Sequence, residues 1–241
     1  GLVFPGRVAK TNEPDDFISS PEKTWESKRM VFPDQPLPIG ISGVTISSSD
    51  SNSGFRFGFR SLPPKAQAIQ EIILFHRKDS KSYFLTVFDS LDRKIAFAGN
   101  YTLEGPEASK IYLPYRVNQL TIRALKTLPG QERITFYGMA LASGNSGIWY
   151  HAAGCNGAKF RHYKNSELQI RQTSVLQPDL IIISLGTNEA LDFPYQDPEF
   201  ENDIGRFINE LKKQNPDAAF LLTTPPGSFR KKNRKNPGVH E

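Results

Sequence analysis

The feature that most limits the fold is a repeated alternation of apolar and polar residues between Trp25 and about Ala142. In Phe55–Arg60 and through most of Gln119–Lys126 every second side chain is apolar, which is the period of a strand with one buried face. Stretches rich in Ser, Asn, Asp, Gly and Pro separate these runs and are typical of turns. The pattern predicts strands at Leu37–Ser48, Phe55–Arg60, Ala68–Arg77, Tyr83–Asp89, Lys94–Ala98, Lys110–Arg116, Gln119–Lys126 and Arg133–Leu141.

Short strands that follow one another without a convincing helix form antiparallel sheets. We therefore expect residues 23–146 to fold as an antiparallel β-sandwich of jelly-roll type. Each strand in that arrangement buries its apolar face between the two sheets.

The pattern changes after residue 147. Ile148–Ala153 is predicted as a short apolar strand, and Ala158–Leu176 has mixed helical periodicity. Leu180–Leu185 is apolar on both faces, as central parallel strands are. Glu199–Gln214 has helical spacing of its apolar residues, and Ala218–Thr224 is predicted as a further buried strand. Strands and helices that alternate in this way predict an α/β sheet.

The predicted parallel sheet has few strands for a well-covered α/β domain. Either further residues complete the sheet or the fold is unusually small. We assign residues 1–22 to the α/β domain as an irregular segment and residues 147–241 to its main part. The fold class is then a partial three-layer α/β domain with an inserted β-sandwich.

Composition and charge exclude several classes of protein. A hydrophobic content of 38% in 241 residues is enough for a packed core and excludes a disordered chain. The net charge of +5 is concentrated in residues 227–241, which hold five basic residues and one acidic residue. Such a run is typical of a solvated loop and does not predict nucleic-acid binding.

No transmembrane helix is predicted, because no apolar run approaches 18 residues. Gly1–Pro5 lacks the zones of a signal peptide. The single cysteine, Cys155, excludes an internal disulfide. His76, His151 and His162 lack metal-ligand spacing, so neither a metal nor another cofactor is expected.

Two sharp turns follow predicted parallel strands, where function gathers in open α/β sheets. The first contains Gly154 and the second contains Asn188. A glycine N–H and an asparagine amide are neutral donors, which an acyl-transfer site needs where oxyanion charge develops. The sequence therefore predicts that these two groups form an oxyanion hole.

The two turns also resemble motifs of the SGNH (GDSL-like) hydrolases. Residues 153–158 (AGCNGA) match the second of four family blocks and residues 186–189 (GTNE) match the third. The resemblance places Gly154 and Asn188 at the oxyanion positions. The layout is similar to peptidoglycan O-acetylesterases in which a carbohydrate-binding-like module interrupts the hydrolase domain.

The serine and histidine blocks of that family are not found. The sequence contains no Gly-Asp-Ser, and Pro237 stands three positions before His240, where the family has an aspartate. His240 is therefore not assigned a role. We expect the 241 residues to be an internal stretch of a longer enzyme that is inactive alone.

Simpler explanations remain for each residue of the candidate site. Gly154 and Gly157 fit a tight turn, and Asn188 fits a helix N-cap. His151 alternates with apolar neighbours and is expected to be a core or rim residue. Cys155 has no identifiable histidine partner that would make it a nucleophile.

The resemblance implies a serine esterase that removes O-acetyl groups from peptidoglycan or another acylated polysaccharide in the periplasm or outside the cell. The alternative is a non-enzymatic glycan-binding protein with a structural α/β part. A hydrolase of lipids or thioesters is less favoured, because no long apolar stretch is present for an acyl chain. The aromatic residues available for glycan binding are Trp25, Tyr83, Tyr101, Tyr112 and Tyr115. The oligomeric state is left open.

Overall fold

Two antiparallel sheets form most of the protein in the computed structural model, which describes residues 1–11, 13, 15–32, 37–61, 68–99, 107–163, 166–190 and 199–225. The six-stranded sheet contains β1 (Leu2–Val3), β3 (Glu26–Arg29), β4 (Val44–Ser48), β6 (Ile69–His76), β9 (Ala108–Val117) and β11 (Ile134–Ala142). The five-stranded sheet contains β2 (Phe17–Glu22), β5 (Gly54–Phe59), β7 (Phe84–Phe88), β8 (Lys94–Ala98) and β10 (Gln119–Leu125).

The order of strands in the six-stranded sheet is β3-β4-β11-β6-β9, with β1 paired to the second half of β11. The other sheet has the order β2-β5-β10-β7-β8. Phe55 of β5 and Phe136 of β11 bring their ring centroids to 5.1 Å across the space between the sheets. Such aromatic pairs contribute to the core beyond the area that they bury.

All eight runs predicted from the alternation contain the strands β4 to β11, with differences at the ends. The largest difference is in Leu37–Ser48, where β4 begins only at Val44. Pro38 has no N–H to donate, and Gly43 has a φ of +69°, which ends extended backbone. The prediction of an antiparallel sandwich agrees with the two observed sheets.

Three strands were not predicted from the alternation, and two of these are edge strands. β2 and β3 lie at the edges of their sheets, where Pro21 and the charged residues Glu26, Lys28 and Arg29 are tolerated. β1 and β2 also correct the domain assignment of residues 1–22, which we predicted to belong to the α/β domain. In the structure, β1 pairs with β11 and β2 pairs with β5, so both strands belong to the sandwich.

The described residues from 158 to 225 form a small α/β part. Its elements are α1 (Phe160–Tyr163), α2 (Glu167–Thr173) followed by a 3₁₀ turn (Ser174–Leu176), β12 (Leu180–Ile183), α3 (Thr187–Ala190), α4 (Phe200–Gln214) and β13 (Ala219–Leu222). β12 and β13 are parallel, in register from Leu180 opposite Ala219 to Ile183 opposite Leu222. The predicted helix and the two predicted strands after residue 178 are therefore present.

Only one face of this parallel pair is covered by the described residues. On that face, Ile183 packs with Phe207 and Leu211 of α4. On the opposite face, Leu180, Ile182 and Leu221 are about half exposed. The sequence predicted burial on both faces, and the described layers provide it on one.

The predicted strand Ile148–Ala153 is not formed, and this prediction was wrong. Ile148 is 100% exposed and Tyr150 is 78% exposed. A strand requires a neighbour for its backbone hydrogen bonds, and within the described ranges β12 pairs with β13 alone. The α/β part thus shows two parallel strands and not three, and the three-layer arrangement is seen only in part.

Helix α2 packs against the outer face of the six-stranded sheet. Leu168 of α2 joins Ile73, Phe75 and Tyr137 in one buried apolar cluster. Gln172 Oε1 accepts a hydrogen bond from the Ile41 N–H at 2.8 Å, and Gln169 Nε2 donates to the Ile41 carbonyl at 3.1 Å. The two glutamines therefore satisfy both backbone groups of one buried residue of the sandwich.

The burial of His76 makes the free energy of unfolding depend on pH. His76 is fully buried, its Nε2 lies 2.9 Å from Ser109 Oγ, and burial together with Lys78 lowers its pKa from 6.5 to about 4. The unfolded chain then binds more protons than the folded chain between these two pKa values. The unfolding free energy is expected to fall by about 3 kcal/mol from this group as the pH is lowered from about 6.5 to about 4.

This expectation is tested by urea unfolding at several pH values on the wild type and on His76→Gln. The variant should lack this part of the pH dependence. The same change of unfolding free energy with pH in both proteins would contradict the assignment.

Candidate functional site

The GTNE motif forms the turn between β12 and α3. Gly186 has a φ of +112°, and a Cβ there would lie 3.2 Å from Pro225 Cγ. Few side chains tolerate that conformation, so the glycine allows the chain to leave β12 and enter α3 at once. This turn places Asn188 and Glu189 directly beyond the carboxyl end of β12.

Gly154 lies in an exposed stretch just before a tight turn. The Ala158 N–H donates to the Cys155 carbonyl at 3.0 Å, and Gly157 has a φ of +83°. Among the described residues, no atom beyond its two chain neighbours lies within 4 Å of the position that a Cβ of Gly154 would occupy. Gly154 is therefore an exposed residue that directly precedes the turn.

Helix α3 is hydrogen-bonded to this turn. Asn188 Nδ2 donates to the Ala158 carbonyl at 2.9 Å, four residues after Gly154. An asparagine amide has two N–H groups, so one remains for another acceptor. The structure thus brings Asn188 to the segment that carries Gly154, and the role of both as oxyanion donors stays a prediction.

Glu189 makes a second contact with the same segment. Its Oε1 accepts a hydrogen bond from the Phe160 N–H at 2.6 Å. Sequence reasoning did not assign Glu189, although it stands in the GTNE motif beside Asn188. The partner is 29 residues away, and no periodicity links the two positions.

Cys155 lies at the junction of the sandwich and the α/β part. It packs against apolar clusters of both. A Cβ on Gly43 would lie 2.9 Å from Cys155 Cβ, which shows how closely the two segments approach. Burial raises the pKa of the thiol, which disfavours the thiolate that a nucleophile requires.

Of the histidines in the described ranges, His162 lies beside the segment that follows Gly154, where its ring nitrogen accepts a backbone hydrogen bond. The Lys159 N–H donates to His162 Nδ1 at 3.0 Å, and burial lowers the pKa of His162. His151 is half-buried, and burial also lowers its pKa. His240 lies outside the described residues. Across the described ranges, no group of three or more His, Cys, Asp or Glu residues could hold a metal ion.

The aromatic residues proposed for glycan binding separate into buried and exposed ones. Trp25 and Tyr83 are buried, and Trp25 Nε1 donates to the Gly54 carbonyl. Tyr112 is 67% exposed and Tyr115 is 39% exposed. Tyr101 lies outside the described residues.

Tyr115 is already engaged within the sandwich. Its hydroxyl donates to Asp89 Oδ2 at 2.6 Å, and the Arg93 guanidinium lies 5.5 Å from its ring centroid. The hydrogen bonds from Tyr115 and from the Arg93 guanidinium lower the pKa of the Asp89 carboxyl. Tyr112 is therefore the more accessible of the two exposed tyrosines.

Residues 127–240 match the sequence profile of the GDSL-like Lipase/Acylhydrolase family. A solved structure described as a peptidoglycan O-acetylesterase in action is 17% identical, with a TM-score of 0.64 over 92% of this chain and 57% of the other. The chain thus spans little more than half of that protein. Likeness at this identity shows the fold alone.

Other solved structures resemble part of the chain. A family 32 carbohydrate-binding module of C. perfringens NanJ in complex with galactose is 8% identical, with a TM-score of 0.35 over 52% of this chain and 92% of the module. A Streptococcus pneumoniae fucose binding module is 11% identical, with a TM-score of 0.32 over 50% and 91%. At TM-scores this low, the likeness to these modules is not evidence for a function of this chain. No curated protein sequence matches the chain.

None of the helices in the described ranges has the length and apolar character that crossing a membrane requires.

The backbone conformation of Gly186 predicts that alanine destabilises the protein at this position but not at a glycine in a helix. Gly186→Ala should destabilise the protein by about 1–3 kcal/mol, because the residue would hold a strained backbone conformation against Pro225. Gly205→Ala is the matched control in α4, because no described residue outside the helix backbone lies within 4 Å of the added Cβ. The control should be stabilising by about 0.5–1 kcal/mol. Urea unfolding measures both, and equal effects would show that the turn at Gly186 is not constrained.

Proposed function

We propose that this chain belongs to a serine ester hydrolase of SGNH type that removes O-acetyl groups from a polysaccharide such as peptidoglycan. The observation that carries the proposal is the hydrogen bond from Asn188 to Ala158, which joins the two motif segments. The family match over residues 127–240 includes both segments and supports the same reaction class. The site of action under this proposal is the cell envelope or the extracellular space.

In the proposed mechanism, the Gly154 N–H and the free N–H of Asn188 donate to the oxyanion of the tetrahedral intermediate. Both groups are neutral, so they stabilise that charge without taking the proton of the nucleophile. The nucleophilic serine and its histidine are proposed to come from sequence outside these 241 residues. The chain by itself is then proposed to be inactive.

The exposed face of the parallel pair supports a larger α/β domain. Leu180, Ile182 and Leu221 present apolar side chains where parallel sheets are normally covered on both faces. We propose that a second helical layer covers them in the complete hydrolase and gives a three-layer fold.

Asn188→Ala tests the proposed site. In the full-length gene product, loss of one oxyanion donor should lower the turnover of an acetylated polysaccharide by about a hundredfold or more. Acetate release measures this effect. Asn156→Ala is the matched control, because Asn156 is an exposed asparagine of the neighbouring turn. Wild-type turnover by Asn188→Ala with the fold intact would show that the site is wrongly assigned.

The second candidate function is glycan binding by the sandwich without hydrolysis. The observation that favours it is the exposure of Tyr112 on β9, beside Lys110, whose ammonium lies 5.4 Å from the ring centroid. An exposed aromatic face next to a polar group is suited to stacking on a sugar ring.

Tyr112→Ala tests this candidate. Binding to an immobilised polysaccharide, measured by affinity electrophoresis, should weaken by about tenfold, since one stacking contact is lost. Tyr150→Ala is the control, because Tyr150 is similarly exposed but lies outside the sandwich strands. Binding that persists in Tyr112→Ala excludes this residue. Strong binding without acetate release by the full-length gene product favours the binding protein over the esterase.

A further inference from the structure

Two neighbouring side chains of α3 hold one short stretch of backbone. Asn188 donates to the Ala158 carbonyl, and Glu189 accepts from the Phe160 N–H. The first bond restrains the carbonyl of Ala158, and the second restrains the N–H of Phe160, two residues further along the chain. The stretch is therefore fixed both in position and in orientation relative to α3.

This stretch begins four residues after Gly154. The turn closed by the bond between Cys155 and Ala158 separates Gly154 from the residues that Asn188 and Glu189 hold. Within the described part of the chain, nothing beyond its two neighbours packs on the Cβ position of Gly154 itself. The direction of the Gly154 N–H therefore depends on how firmly the following residues are held.

Glu189 is better placed than Asn188 to hold the residues that follow Gly154. Its side chain is buried, and its Oε1 accepts a hydrogen bond from the Phe160 N–H at 2.6 Å. Its Oε2 is also buried and has no hydrogen-bond partner among the described residues. Burial of a half-satisfied carboxyl group opposes folding, and the hydrogen bond to Phe160 offsets part of that cost.

We infer that Glu189 is a positioning residue, which holds the turn after Gly154 so that the Gly154 N–H and the Asn188 amide face the same acceptor. The identification of that acceptor as an oxyanion rests on the proposed function. The holding of the turn does not depend on it.

The conservative variant separates shape from charge. Glu189→Gln keeps a carbonyl oxygen at the position of Oε1 and should retain the bond to the Phe160 N–H. Glu189→Ala removes the acceptor and leaves the Phe160 N–H unsatisfied. If Glu189 acts by holding the turn, glutamine should rescue what alanine loses.

Cys155 is the single cysteine of the chain and lies next to Gly154, so it reports on the turn. Alkylation of the 241-residue chain by iodoacetamide should be about tenfold faster in Glu189→Ala, as expected when the buried Phe160 N–H loses its hydrogen-bond acceptor. Glu189→Gln should react at close to the wild-type rate. The urea midpoint of all three proteins is measured in parallel, so that local opening is distinguished from global unfolding.

Glu71→Ala is the matched control, because Glu71 is a buried glutamate of the six-stranded sheet that pairs with Lys110. It should change the urea midpoint without accelerating alkylation in the absence of urea. A wild-type alkylation rate in Glu189→Ala, or the same acceleration in Glu71→Ala, would overturn the inference.

Ester hydrolysis by the full-length gene product provides the second measurement. Glu189→Ala should lower kcat with little change in KM, and Glu189→Gln should restore kcat. Faster alkylation with unchanged kcat would show that the held turn does not serve catalysis. If wild type releases no acetate, the proposed function fails, while the alkylation rates still decide whether Glu189 holds the turn.

Discussion

The packing of α2 on the outer face of the six-stranded sheet is the contact on which the rest of the site depends. Leu168 enters the cluster formed by Phe75 and Tyr137, and Gln169 and Gln172 pair with both backbone groups of Ile41. This contact joins the sandwich to the α/β part over a buried surface. The segment from Gly154 to α1, which lies between β11 and α2 in the chain, is thereby confined at both ends.

Much of the fold could be predicted because the sandwich strands each bury one face, and a period of two residues is visible in the sequence. The edge strands β2 and β3 could not be found in this way, since edge positions accept polar residues and proline. The segment Ile148–Ala153 was mispredicted for a different reason. Its apolar residues favour a strand, but a strand also needs a hydrogen-bonding neighbour, which a local pattern does not reveal.

The candidate site was predictable to the extent that motifs mark it. Gly154 and Asn188 each follow an apolar run at a sharp turn, so residue type and position indicated a candidate site, and the role of the two residues as oxyanion donors stays a prediction. The contact of Glu189 with Phe160 was not predictable, because it joins residues that only the folded chain brings together. The exposed face of β12 and β13 was not predicted either, since an apolar run indicates what prefers burial and not what is available to cover it.

The bonds between α2 and the sandwich have a consequence for the conditions under which the junction keeps its geometry. The groups that meet there, two glutamine amides and the peptide group of Ile41, are uncharged and do not titrate. Salt screens interactions between charges and has little effect on such bonds. The relative placement of the sandwich and the segment from Gly154 to α1 should therefore withstand changes of ionic strength. Such changes would loosen a junction built from exposed ion pairs.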